Sequence, residues 1–152
     1  MVVSKDTVIS STWETIYDLI NSVIVDPKSR GVKWLFGSYP NPESKDFCGW
    51  PVVIIESPDI NVNHFSIGKQ LRQWPIAMKI AVFTDWSEHA DTISDEIITI
   101  LRNNELVLEQ GGLYKFKVTS TPIGYDDVNG NRIYGKSIRI AFEFVEKETY
   151  GS

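Results

Sequence analysis

The chain has 152 residues, of which 42% are hydrophobic, 12% aromatic and 23% charged, with 15 basic against 20 acidic side chains. That composition predicts one packed domain spanning residues 1–152. It excludes a disordered tail, and no apolar run approaches the ~18 residues of a membrane span. A net charge of −5 weighs against a primary role in nucleic-acid binding, and the lone Cys48 excludes a disulfide framework or a multi-cysteine zinc site.

The first element reads as a helix. Ser11 and Glu14 have the spacing of a capping box, and Trp13, Ile16, Tyr17, Ile20, Val23 and Ile24 recur at the 3.6-residue period until Pro27. Val32, Trp34 and Phe36 alternate as one face of a short strand, and Tyr39 to Asp46 reads as a loop. Two further segments begin alike, Trp50-Pro51-Val52-Val53-Ile54-Ile55 and Trp74-Pro75-Ile76-Ala77-Met78, each predicting a strand whose first residue is proline. Between them, Pro58 to Trp74 is too long for an ordinary connection. Ile60, Val62 and Leu71 bracket a turn at Ile67-Gly68, which predicts a long hairpin arm.

A second helix follows, with Ser87 as its cap. Ala90, Ile93, Ile97, Ile98, Ile100 and Leu101 form its buried stripe, and acids crowd its first turns. Asn103-Asn104 ends it, and Leu106–Leu108 can add a short turn of helix. Tyr114, Phe116 and Val118 alternate with lysines as a half-exposed strand. Ile138, Ile140, Phe142 and Phe144 alternate as the clearest strand of all. Between the two, Thr121 to Gly135 reads as a developed loop, and Asn129-Gly130 within it signals a primed hairpin turn. The expected architecture is α+β in the order α-β-β-β-α-β-β, a mainly antiparallel sheet with two helices on one face.

Residues that carry chemistry are sparse. His64 and His89 lack metal-ligand spacing, and Asp85 with His89 has no nucleophile beside it. Asp127 to Asn131 lacks the glycine and glutamate that a calcium loop needs further on, at the positions of Arg132 and Ile138. No phosphate-binding or hydrolase motif occurs. The expectation is a protein that is not an enzyme, with no cofactor, no metal and no catalytic residue. Of five tryptophans, Trp50 and Trp74 stand at strand starts beside loops and are the candidates for partner contact.

The helix stripe Trp13/Ile16/Tyr17/Ile20, the proline-led Trp50 to Glu56, the stretch Ile80-Ala81-Val82-Phe83-Thr84-Asp85-Trp86-Ser87 running into Glu88–Leu101, and the closing Arg139 to Phe144 form a pattern. From Trp13 to Val145 it resembles the tail terminator, or tail completion, proteins that join head to tail in long-tailed bacteriophages. The resemblance implies a structural virion protein of the tail and neck region, assembled in the host cytoplasm. It implies a homo-oligomeric ring, usually of six subunits, that caps the tail tube, ends its growth and meets the head connector. Its partners would be its own copies, the tube protein and the connector or stopper. DNA would pass through the lumen without specific binding, past acids that repel phosphate. The subunit interface would use Trp50, Ile60, Val62, Phe65, Leu71, Trp74, Tyr125 and Tyr134. A neck stopper or another connector subunit shares these features, and a mostly β tube subunit fits less well. The rival from another class is a small α+β ligand-binding or catalytic domain with a cleft between helices and sheet.

Overall fold

The computed structural model describes residues 3–4, 6–60, 63–64 and 71–147, and of 63–64, 71–73 and 146–147 the backbone alone. The described elements run α1 (Val8–Asn21), β1 (Leu35–Phe36), β2 (Val52–Ile55), β3 (Asp59–Ile60), β4 (Asn63–His64), β5 (Leu71–Thr84), α2 (Ser87–Asn103), α3 (Glu105–Gln110), β6 (Leu113–Val128) and β7 (Asn131–Lys147). The class is α+β, as the periodicities predict.

Helix α1 starts three residues before the proposed Ser11 cap. Thr7 is its N-cap without a side-chain capping bond, and the Ser11 hydroxyl meets that of Thr7 at 2.6 Å instead. Val8, Thr12, Thr15, Ile16, Leu19 and Ile20 form the buried face. The helix ends at Asn21, so Val23 is exposed rather than part of the stripe. Trp13 and Tyr17 stack 4.8 Å apart and pin α1 to the sheet. The indole N–H donates to the Ile55 carbonyl at 2.7 Å and the phenol to the Leu35 carbonyl at 3.2 Å. In α2, Trp86 is the N-cap rather than Ser87, again without a side-chain bond.

The sheet runs β1-β2-β5-β7-β6, with β3 and β4 also pairing with β5, and only β1 and β2 are parallel. Four boundaries differ from the sequence reading. The strand expected from Val32 shrinks to Leu35–Phe36, with Trp34 and Leu35 both buried, which breaks the alternation. Strand β2 starts at Val52, past Pro51. Strand β5 starts at Leu71, so Pro75 lies inside it, opposite Glu143. The expected arm does form a hairpin, Ile60 facing Ile76 and His64 facing Arg72. Its second strand is the start of β5 and pairs on its other side with β7, so the arm belongs to the sheet. The proposed turn at Ile67-Gly68 lies outside the described residues.

The largest correction is Thr121 to Gly135. It is the far end of a long β6–β7 hairpin, paired as far as Val128 and Asn131. Asn129 and Gly130 have φ of 50° and 79°, the primed turn that their identities predict.

All three described helices cover one sheet face. From α1, α2 and α3, Ile16, Ile20, Ile93, Ile97, Leu101 and Leu108 meet Val53, Ile55, Ile76, Ile80, Ile138, Ile140 and Phe142 in one apolar core. On the other face, the loop from Tyr39 to Trp50 folds back over one end of the sheet. There Trp50, Val52, Ile54, Ala81 and Ile133 make a second, smaller cluster with Phe47 and Phe83.

Candidate functional site

Two features of the sheet stand open. The first is its edges. Strand β6, 16 residues long and so about 50 Å, pairs with β7 on one side and with nothing on the other among the described residues. Register shifts fall between Tyr114 and Lys117 and between Pro122 and Gly124, which leaves Lys117–Pro122 as the regular stretch of free edge. Bulges, lysines and proline are the usual guards against uncontrolled strand addition, and they frame this stretch on both sides. The opposite edge is built from β1 and the short pieces β3 and β4.

The second feature is the end of the outer face that the Tyr39–Trp50 loop leaves uncovered. Register places Asp59, Ala77, Ala141 and Lys117 side by side on β3, β5, β7 and β6. The two alanines floor a hollow of about 610 Å³ that also touches Pro75, Lys115 and Glu143. An adjoining hollow of about 460 Å³ is lined by Glu56, Lys79, Lys117, Thr119 and Arg139. The rims differ in charge: Glu56 and Asp59 stand towards the β3 side, Lys115 and Lys117 on the β6 side. Lys115 reaches Glu143 at 3.0 Å. At the centre, half-buried Lys79 lies directly across from exposed Arg139.

The loop that covers the other end is held by Arg30. Its guanidinium donates to Asp26 at 2.8 Å and to the carbonyls of Cys48, Gly49 and Pro51 at 3.1, 2.8 and 2.8 Å, and it lies over the Trp34 ring. Burial pushes the Asp26 carboxyl upward. Hydrogen bonds from the Arg30 side chain and from the Lys28 and Arg30 amides, with the guanidinium charge, nevertheless bring it below its ordinary value. Burial raises the Cys48 thiol, against the pull of Arg30.

The expected interface residues scatter. Trp50 is only 7% exposed and packs edge-on against Phe47, 5.0 Å away; its ring serves the second cluster and offers no surface to a partner. Trp74 and Ile60 are half-buried against the main core, Trp74 edge-on to Phe144 at 5.9 Å. Tyr125 and Tyr134 do meet across the β6–β7 hairpin, 6.3 Å apart, with Arg132 4.3 Å over Tyr125. Tyr125 is 63% exposed, and beside it Tyr39, Phe83 and Ile123 line an apolar notch. Val62 and Phe65 lie outside the described residues, as does the side chain of Leu71, whose backbone pairs with Lys147. Asp85 and His89 do not form an acid–base pair: Asp85 holds Lys28 at 2.8 Å and His89 packs on Trp86. Among the described residues no three His, Cys, Asp or Glu side chains gather as metal ligands would.

No protein-family model matches the chain, and no curated protein matches it in sequence.

Proposed function

We propose that the chain is a structural virion protein, a tail terminator whose copies close into a ring on the tail tube, end its growth and join it to the head connector. The observation that carries this reading is a sheet with an edge on each side that no other strand covers among the described residues. Different edges meeting head to tail form a heterologous contact, which closes into a ring after a fixed rotation. Backbone hydrogen bonds of an added strand would supply affinity along Lys117–Pro122. The acidic rim at Glu56 and Asp59 and the basic rim at Lys115 and Lys117 give that contact a direction, since like rims repel. Tyr125, Tyr134 and the notch beside them offer a separate aromatic surface at the hairpin end for the next component of the particle.

A ligand-binding domain with a cleft between helices and sheet is the weaker reading, because Ile16, Ile97, Leu101, Ile80 and Ile138 pack there in one buried core. Electron microscopy of lysates from a virus with an early stop codon in this gene tests the proposal. Overlong or unjoined tails beside filled heads are the expected result; normal particles would overturn it.

A further inference from the structure

Two arginines of this chain are held in the same manner, by an aspartate and an aromatic ring. Arg30 donates to Asp26 at 2.8 Å and lies 5.7 Å from the centre of the Trp34 ring. Arg132 stands 3.9 Å from Asp127 and 4.3 Å from the centre of the Tyr125 ring. A third aspartate stands beside rings without an arginine. Successive residues of a strand point to opposite faces, so Asp126 turns away from Asp127, opposite Ile133 of the second cluster. There it lines the notch of about 440 Å³ together with Tyr39, Phe83, Ile123, Tyr125 and Ile133. The Tyr39 ring meets Phe83 edge-on at 5.3 Å and is 47% exposed. Gly124 and Gly135 face each other across the hairpin and bring no side chain into the notch. Among the described residues Asp126 is the only charged one that lines it, and no lysine or arginine lies within ion-pair distance of that carboxylate. Burial first, and then the charge of Asp126, raise the Tyr39 phenol above its ordinary value, so carboxylate and ring feel each other.

We propose that this notch binds an arginine side chain presented by a partner protein. Aromatic walls with one carboxylate suit a cation that has a flat, weakly hydrated head. A guanidinium stacks on a ring while it forks to a carboxylate, whereas an ammonium offers only a point charge. An apolar side chain would cover Asp126 without giving it a partner, and an acidic one would meet its charge. An unpaired acid is ordinary on a surface; the rings beside this one are what select a guanidinium. A second copy of the chain is a poor source, because Arg30 and Arg132 are already held and Arg139 lies within the sheet face. The proposal deepens the reading above: assignment of the arginine to the next component of the particle rests on that reading, while the binding itself is tested without a ring.

Amide NMR of the purified protein, labelled at glycine and tyrosine and titrated with a short Gly/Ser peptide carrying one central arginine, reads weak binding directly. The expected result is shifts at Tyr39, Gly124, Tyr125 and Gly135 and none at Gly112, at the other end of the hairpin. Norleucine in place of the arginine should abolish them, and lysine should weaken binding about threefold. Asp126→Asn should weaken it at least about tenfold, as loss of a charged hydrogen-bonded partner implies. Tyr39→Leu keeps apolar bulk without the ring and should cost about threefold. Asp95→Asn removes the same charge from the exposed side of α2 and should change nothing. Thermal melting would verify that the variants fold. Absent shifts, a norleucine peptide that binds as well as the arginine one, or an Asp126→Asn variant that binds like the parent would overturn the proposal. So would self-association that the peptide displaces and Arg102→Gln abolishes, which would assign the notch to a second copy. The titration needs no assembled ring, so it stands or falls apart from the tail phenotype.

Discussion

Replacing Arg30 by Met keeps the length of the side chain and removes the guanidinium that ties four groups together. Asp26 loses its ion pair, and the carbonyls of Cys48, Gly49 and Pro51 lose their donor. The pair is mostly shielded, with side-chain exposures of 14% for Arg30 and 11% for Asp26. Removing one partner of a buried pair costs about 3–5 kcal/mol, since the other charge is left without compensation. Residual water access places this case at the lower end, about 3 kcal/mol. For a chain of this length that corresponds to a fall in Tm of roughly 6–12 °C. Arg30→Lys should recover little, because an ammonium supplies a point charge and cannot fork towards three carbonyls and a carboxylate together. Urea unfolding followed by tryptophan fluorescence gives the free energies, and calorimetry gives Tm. A loss below about 1 kcal/mol for Arg30→Met would refute the idea that this residue fastens the covering loop.

Acid should weaken the same junction. The folded Asp26 carboxyl titrates below its ordinary 3.8, so its contribution is fully present above that pH and is lost as pH falls through the folded value. The stability gap between the parent and Asp26→Asn should therefore narrow below about pH 4; a gap constant down to pH 2.5 would count against it. Gly112 has φ of +103°, and a Cβ there would sit 2.9 Å from Phe144 Cε2. Gly112→Ala should cost about 2 kcal/mol in urea unfolding, through backbone strain and displacement of a core ring. Gly37→Ala, whose Cβ would meet Trp13 at 3.4 Å, an ordinary contact, should change stability far less. Equal losses at both glycines would contradict that account.

What could be read from the chain follows from where each segment lies. Ile138 to Phe144 alternates because β7 has the core on one face only, and α2 shows its stripe for the same reason. Asn129-Gly130 is legible because a turn of that geometry tolerates few residue pairs. The far half of β6 gives no such signal. From Thr119 to Asp127 every residue is exposed, so no alternation marks it as a strand, and only its pairing with β7 reveals it. Trp50 misleads for a different reason. An aromatic ring beside a loop suggests a surface, but the loop folds over it, bringing nearby Phe47 onto the ring while Ile133 reaches it from a distant strand. Arg30 leaves no trace in the sequence, because its main partners are carbonyls that any residue carries. Lys79, Lys117 and Arg139 look like scattered charges until strand register brings them to one face.

The position of β7 between β5 and β6 also bears on synthesis. Strand β6 leaves the ribosome before its sole described partner, and β5 waits for the same segment along its whole length. At 5–20 residues per second, the 17 residues of β7 take about 1–3 s to emerge. During that interval two long strands have nothing to pair with on the sides that β7 will fill. A chain cut short within β7 is thereby denied a completed sheet. Completion of the described sheet therefore waits on β7 and not on the strands that precede it.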